Sequence, residues 1–205
     1  MDIVIFHVDA NSAFLSWTAA YRVKVLGESV DLREIPSVIA GDKASRHSIV
    51  LAKSAPAKKY GIQTGEPLFQ AQEKCPQLVV APPDYALYVE ASRHFVQMLR
   101  RFSPMVQQYS IDEAWVDMTG TQRIFGPPRL AAEKMRQRIW DELGFTVNVG
   151  ISSNKLLAKM AGDLEKPNKV HTLFPEEMET KMWPLPVREL FLVGRATEKK
   201  LKGLG

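Results

Sequence analysis

The stretch YSIDEAWVDM, residues 109–118, constrains the fold most, because two adjacent acids, Asp112 and Glu113, interrupt a run that otherwise reads as buried strand. Val106 and Ile111 precede the pair, and Ala114, Trp115, Val116 and Met118 follow it. An unpaired buried carboxylate costs on the order of several kcal/mol, so such a pair needs water, a partner or a cation. The run therefore divides into two strands, PMVQQYS and AWVDMT, with the acids at their junction.

The rest of the chain supplies partners for those strands. IVIFHV at residues 3–8 is a short apolar, β-branched run ending at Asp9. AFLSWTAAYRVKVLG reads as a helix capped by Asn11 or Ser12 and closed at Gly27. Residues 84–102 carry Leu87, Ala91, Phe95, Met98, Leu99 and Phe102 at helical spacing, with Asp84 as cap. A second amphipathic helix runs over 128–143, TVNVGI at 146–151 is a strand, and SNKLLAKMAGDLE is a helix capped by Ser153 or Asn154. Between residues 37 and 82 lie two strands around a polar turn (SVIAG and HSIVLAK), two short helices near PAKKY and EPLFQAQEKC, and the extended LVVAP. With 37–82 set aside, the order is strand, helix, strand, strand, helix, strand. That is the ferredoxin-like βαββαβ order, an α/β (α+β) fold with a small subdomain inserted after the first strand.

Composition narrows the function only slightly. The 205 residues carry 27 basic and 23 acidic side chains, a net charge of +4, which leans toward an anionic partner without establishing one. The lone cysteine, Cys75, excludes an intrachain disulfide framework and suits a reducing cytoplasm. His7, His47, His94 and His171 are too scattered to make a zinc pattern with it. An acid at position 2 argues against a signal peptide, and no apolar run nears the roughly 18 residues of a membrane span.

In a βαββαβ sheet the first and third strands are central neighbours. Asp9 at the end of one and Asp112-Glu113 at the start of the other would bring three carboxylates to one sheet edge. Such a cluster repels itself unless cations fill it, and Mg²⁺ favours carboxylate oxygen together with substrate phosphate. Two metals about 3.5–4 Å apart clamp the attacking and leaving oxygens of a phosphoryl transfer. Each acid also has a plainer reading: a solvated hairpin for the pair, a helix cap for Asp9.

Further motifs bear on that choice. FHVDANSAFLSW, AKSAPAKKYGIQTGEP, YSIDEAWVDM and VGISSNKLLAKMAGDLEKPN occur in this order. Together they resemble the Y-family, or translesion, DNA polymerases, including the bacterial polymerase IV type (impB/mucB/samB-like), from residue 3 to the end. The resemblance implies a palm at 1–11 and 82–170, fingers at 12–81 and a partial helical thumb at 171–205. It implies Asp9, Asp112 and Glu113 as catalytic metal ligands, with the Ala10 carbonyl serving the second of two Mg²⁺ ions (Mn²⁺ substituting). Phe14 matches the steric gate, a ring that leaves no room for a ribose 2′-OH; its spacing equally suits a core aromatic. Lys166 matches a lysine that reaches the triphosphate as a point charge. Lys159, two helical turns earlier, is a further candidate or a solvated surface lysine. Ser110 orients a carboxylate, meets the primer end, or is a plain turn serine.

The chain departs from that pattern in two places. The fingers' usual Tyr and Arg, which grip the triphosphate, are here Ala55 and Lys58, so the bidentate fork is lost; Lys53 or Lys59 could take over. In LPVRELFLVGRATEKKLKGLG, which resembles a helix-hairpin-helix that binds backbone phosphate through amides, Leu192 stands where a glycine is usual. The residues end within this element, as expected of an N-terminal catalytic portion lacking the C-terminal little finger. The implied function is template-directed, low-fidelity DNA synthesis in DNA repair and damage tolerance, in the cytoplasm. The implied partners are primer-template DNA, dNTP and, through regions outside these residues, a sliding clamp. The competing expectations are a non-catalytic DNA-binding module of the same fold and a palm-fold nucleotidyl cyclase.

Overall fold

The computed structural model describes residues 2–41 and 48–204. Two compact units divide the chain: residues 1–9, 96–138 and 147–205 form one, and residues 10–95 and 139–146 the other.

The first unit is built on a five-stranded sheet. Its strands are β1 (Ile5–Ala10, whose last residue falls to the other unit), β5 (Val106–Gln108), β6 (Glu113–Asp117), β7 (Val147–Ser152) and β8 (Val170–Thr172), in the order β5-β6-β1-β7-β8. β1 and β6 run antiparallel with Ile5 opposite Asp117 and Asp9 opposite Glu113. The first and third strands of the βαββαβ order are thus neighbours, as expected. β8, which runs parallel to β7, adds a strand that its three residues, VHT, do not announce as a periodic run.

Against β7 lies α7 (Lys155–Asp163), started by Asn154, whose side chain accepts from Leu157 N–H at 2.9 Å. Helix and strand touch backbone to backbone at two glycines. A Cβ added to Gly150 would stand 2.0 Å from the Ala158 carbonyl oxygen and 2.3 Å from Gly162 N. Asn148, fully buried, fastens the end of the helix by donating to the carbonyls of Gly162 at 2.9 Å and Glu165 at 2.6 Å. After β8, Leu157, Met160, Ala161 and Leu173 form a core that Met178, Leu190 and Phe191 partly cover. The chain then reaches α9 (Arg195–Lys202) through a turn in which Leu192 adopts φ 69°.

The second unit has its own sheet, ordered β3-β2-β4, from β2 (Ser37–Ala40), β3 (Val50–Lys53) and β4 (Val79–Ala81). The polar turn expected between the first two of these falls at 42–47, outside the described residues. α1 (Ala13–Lys24) stops three residues short of Gly27, whose φ of +70° supports the turn that follows. Ser12 precedes α1 in a left-handed conformation and its side chain caps nothing; instead the Ser16 hydroxyl donates to the Asn11 carbonyl at 2.6 Å. The two short helices appear as α2 (Ala55–Lys59) and α3 (Leu68–Lys74). α4 (Tyr85–Arg100) begins at Asp84, which accepts from Leu87 N–H at 3.0 Å as its sequence suggested. In the first unit the unexpected short α5 (Gln122–Phe125) follows β6, and α6 (Pro128–Leu143), which keeps its expected limits, starts there and ends in the second unit. Also in the first unit, α8 (Met178–Lys181) precedes the final turn and helix.

Candidate active site

Asp9 and Glu113 occupy paired positions on neighbouring antiparallel strands, and paired residues project to the same face. Strand pairing has drawn Asp9 into the sheet, leaving it 8% exposed. Burial pushes its carboxyl up to about 6; the Lys166 ammonium pulls it back, while Glu113 and Asp112 push it further up. The junction ahead of β6 is a tight turn in which Tyr109 N–H and Ser110 N–H both donate to the Glu113 carbonyl, at 2.9 and 3.3 Å. Within it the Ser110 hydroxyl donates to Asp112 Oδ1 at 2.7 Å. The Ser110 hydroxyl is thus bonded to one of the two junction acids.

Two lysines meet the acids. Lys166 Nζ donates to Asp9 Oδ2, and lies 2.8 Å from Asp163 Oδ1. Burial opposes the charge on Lys166, but Asp9 and Asp163 more than offset it and hold the ammonium above the ordinary lysine value. Lys159, 8% exposed, donates to Glu113 Oε1 at 2.7 Å, stands 3.9 Å from Asp163 Oδ2, and lies 5.2 Å above the Phe191 ring. It is no solvated surface lysine. Behind them His7 is buried with no partner for either ring nitrogen among the described residues. Burial first, then the Lys159 charge, lower it to about 3, so it is neutral at pH 7.

The remaining candidates belong to the second unit. Ala10 closes β1 directly after Asp9. Phe14, on α1, stacks flat on Tyr88 of α4 at 4.3 Å between ring centroids and 8° between planes, with Tyr85 edge-on at 6.4 Å. The Tyr88 hydroxyl, raised above the usual phenol range by burial, shares a hydrogen bond with Thr18 at 3.2 Å. Lys58 is exposed on α2, the helix capped by Ser54 with Ala55 as its first residue. Lys53 is tied to the Ile62 carbonyl at 2.6 Å and to Gln63 Oε1 at 3.2 Å. Its pKa is lowered by burial and then by Lys58.

Sequence reasoning missed Asp163, which lies between the two lysines, four residues after Lys159 and three before Lys166. The i,i+4 spacing of Lys159 and Asp163 on one helical face was the available signal; Lys166 lies past the end of α7. It also missed Tyr88 and the glycine pair behind α7.

Among the described residues, no group of three or more His, Cys, Asp or Glu side chains is arranged to hold a metal ion. The donor chemistry nonetheless fits a hard divalent cation: carboxylate oxygens at paired positions, one pushed toward protonation by burial, with ammonium groups meeting two of the acids.

A five-stranded βαββαβ-based sheet with acids at the joined ends of its central strands defines a ferredoxin-like palm domain, and the comparisons agree. Residues 8–163 match the impB/mucB/samB family and residues 175–205 match that family's helix-hairpin-helix motif. The chain belongs to the impB/mucB/samB family. It is 54% identical over 204 residues to DNA polymerase IV of Clostridium acetobutylicum, covering 100% of this chain and 51% of the relative. To DNA polymerase IV of Moorella thermoacetica it is 42% identical over 207 residues, covering 100% of this chain and 50% of the relative. Among solved structures, a Y-family DNA polymerase chimera of Dbh and Dpo4 superposes with a TM-score of 0.86 at 25% identity, over 98% of this chain and 58% of that one. The chain thus spans about half the length of the curated relatives it matches.

Proposed function

We propose that this chain is the catalytic core of a translesion-type DNA polymerase, adding a deoxynucleotide to a primer 3′-OH under the direction of a template strand. The observation that carries the reading is the pairing of Asp9 with Glu113 on β1 and β6, with Asp112 beside them and lysines at hand. In this reading 1–11 and 82–170 are palm, 12–81 fingers and 171–205 part of the thumb. Cys75, buried and free, suits the proposed cytoplasmic setting. No helix among the described residues is long and apolar enough to cross a membrane.

The primer hydroxyl attacks the α-phosphate of the dNTP and pyrophosphate leaves. Asp9, Asp112, Glu113 and the Ala10 carbonyl would hold two Mg²⁺ ions, which supply positive charge for the developing negative charge at the reacting phosphate. Ser110 fixes one Asp112 oxygen, so that carboxylate arrives already oriented. Lys166 and Lys159 carry positive charge for the triphosphate. Phe14 checks the sugar: its stacking on Tyr88 holds the ring in one orientation, so a 2′-OH meets a fixed apolar surface. Lys58 is the fingers' candidate for the outer phosphates, as a point charge.

Single-nucleotide addition to a primed DNA template, with Mg²⁺, low salt and high enzyme and DNA concentrations, tests the reading. Addition of the templated base by this chain, lost in Asp112→Ala, is the expected result. If the variant adds nucleotide at the parent rate, with the C-terminal residues of a full-length relative fused to both, the assignment fails.

A further inference from the structure

Among the described residues, and outside the groups already given roles, one carboxylate touches the site and has no assigned task. Asp163, the last residue of α7, faces Lys166 at 2.8 Å and Lys159 at 3.9 Å. Each lysine is at the same time paired with an acid of the site, Lys166 with Asp9 and Lys159 with Glu113. The side chain of Asp163 is 43% exposed, against 11% for Asp9 and 16% for Glu113. Its negative charge therefore costs far less to solvate than theirs.

We infer that Asp163 is a positioning residue that takes the ammonium groups of Lys159 and Lys166 when a divalent cation takes Asp9 and Glu113. The inference rests on the metal-binding reading above. Cation uptake is then an exchange: two ammonium charges leave the inner acids as two positive charges arrive. Ammonium groups left beside the incoming ion repel it, and with nowhere to go they compete for the same oxygens. Both lysines already stand within ion-pairing reach of Asp163. Flexible four-carbon stems make the change by bond rotation alone. The backbone need not move, and it is poorly able to: the Gly150–Gly162 contact leaves no slack between α7 and β7. Asp163 also keeps both charges close to the acids rather than releasing them to solvent.

The test is Mn²⁺ binding to the whole chain without DNA or nucleotide, read as loss of the free-ion paramagnetic resonance signal. Asp163→Asn is expected to weaken Mn²⁺ binding roughly tenfold, the size typical of groups that orient a metal's ligands. Asp163→Glu should restore most of it, and Lys166→Met should tighten binding by removing one competitor. The decisive arm is the cycle of Asp163→Asn with Lys166→Met. The Asp163→Asn effect is expected to shrink by at least half once Lys166 is gone. An undiminished effect would mean that Asp163 acts only as a bulk negative charge, and would overturn the inference. So would unchanged affinity in Asp163→Asn alone. If Asp9→Asn leaves Mn²⁺ binding intact, the metal-site reading itself is what fails, and the inference falls with it.

Discussion

Two side chains show how much a single position can carry. Phe14 meets its core reading, being partly buried against the cluster that holds Leu15 and Ile39 and stacked on Tyr88. Substitution separates that packing from the proposed check on the sugar. Phe14→Ala should raise ribonucleotide use relative to deoxyribonucleotide use by an order of magnitude or more in single-turnover addition. It should also lower stability by about 2–4 kcal/mol. A lower Tm with an unchanged sugar ratio would leave Phe14 as core alone. Leu192 is the opposite case, a residue in a conformation it does not favour. Its φ of 69° at the turn before α9 is where related hairpins are expected to place glycine, and its side chain is 78% exposed, so packing repays little of the strain. Left-handed backbone costs a non-glycine residue about 1–2 kcal/mol, and glycine returns part of that through chain entropy. Leu192→Gly should therefore stabilise by about 0.5–1 kcal/mol, seen as a Tm higher by roughly 1–3 °C. A fall in Tm would show that the leucine makes contacts that outweigh its backbone.

At the scale of elements, α7 governs the site. Lys159 and Asp163 on the helix, and Lys166 just past its end, reach the acids only because the helix lies directly on β7, and that approach depends on Gly150 having no side chain. Gly150→Ala would drive a methyl group into the Ala158 carbonyl, where backbone and not a flexible side chain must yield. We expect a loss of about 3 kcal/mol or more, read in thermal denaturation. The retreat of α7 should also lengthen the lysine–carboxylate contacts, so Mn²⁺ affinity should change with stability. A Tm within a degree of the parent would show that the helix is free to shift. Helix α7 was legible in the sequence SNKLLAKMAGDLE, with Ser153 or Asn154 as its cap, and the structure chose Asn154. Its closeness to β7 was not, because a glycine in a strand pattern announces a missing side chain and not what fills the space. β8 was missed for a related reason: its hydrogen bonds to β7 make it a strand, not its own periodicity.

At the scale of the molecule, a net charge of +4 on 205 residues is modest for a proposed DNA-binding chain. Exposed basic residues do gather on the last helix, where Arg195, Lys199, Lys200 and Lys202 follow one another within eight residues. Binding of primer-template DNA by this chain should accordingly be weak and salt-dependent. Neutralising even two phosphates predicts a fall of about tenfold between 50 and 200 mM salt, measured by fluorescence anisotropy. Affinity that ignores salt would argue against a backbone-phosphate contact of any size.

The sequence by itself determined the βαββαβ order of the main elements, the limits of α6, the cap at Asp84, and the acids at the strand junction. All of these are local: they follow from side-chain periodicity, cap chemistry and the cost of burying charge, which act over a few neighbouring residues. The tertiary structure alone decided that Asp9 would stand opposite Glu113, because strand register is set by pairing between segments more than 100 residues apart. It alone turned Lys159 and Lys166 onto those acids and set Asp163 between them, since that arrangement needs the close contact of α7 with β7. Charges so distant in the chain influence one another only after the sheet has closed, when burial removes the water that would otherwise screen them.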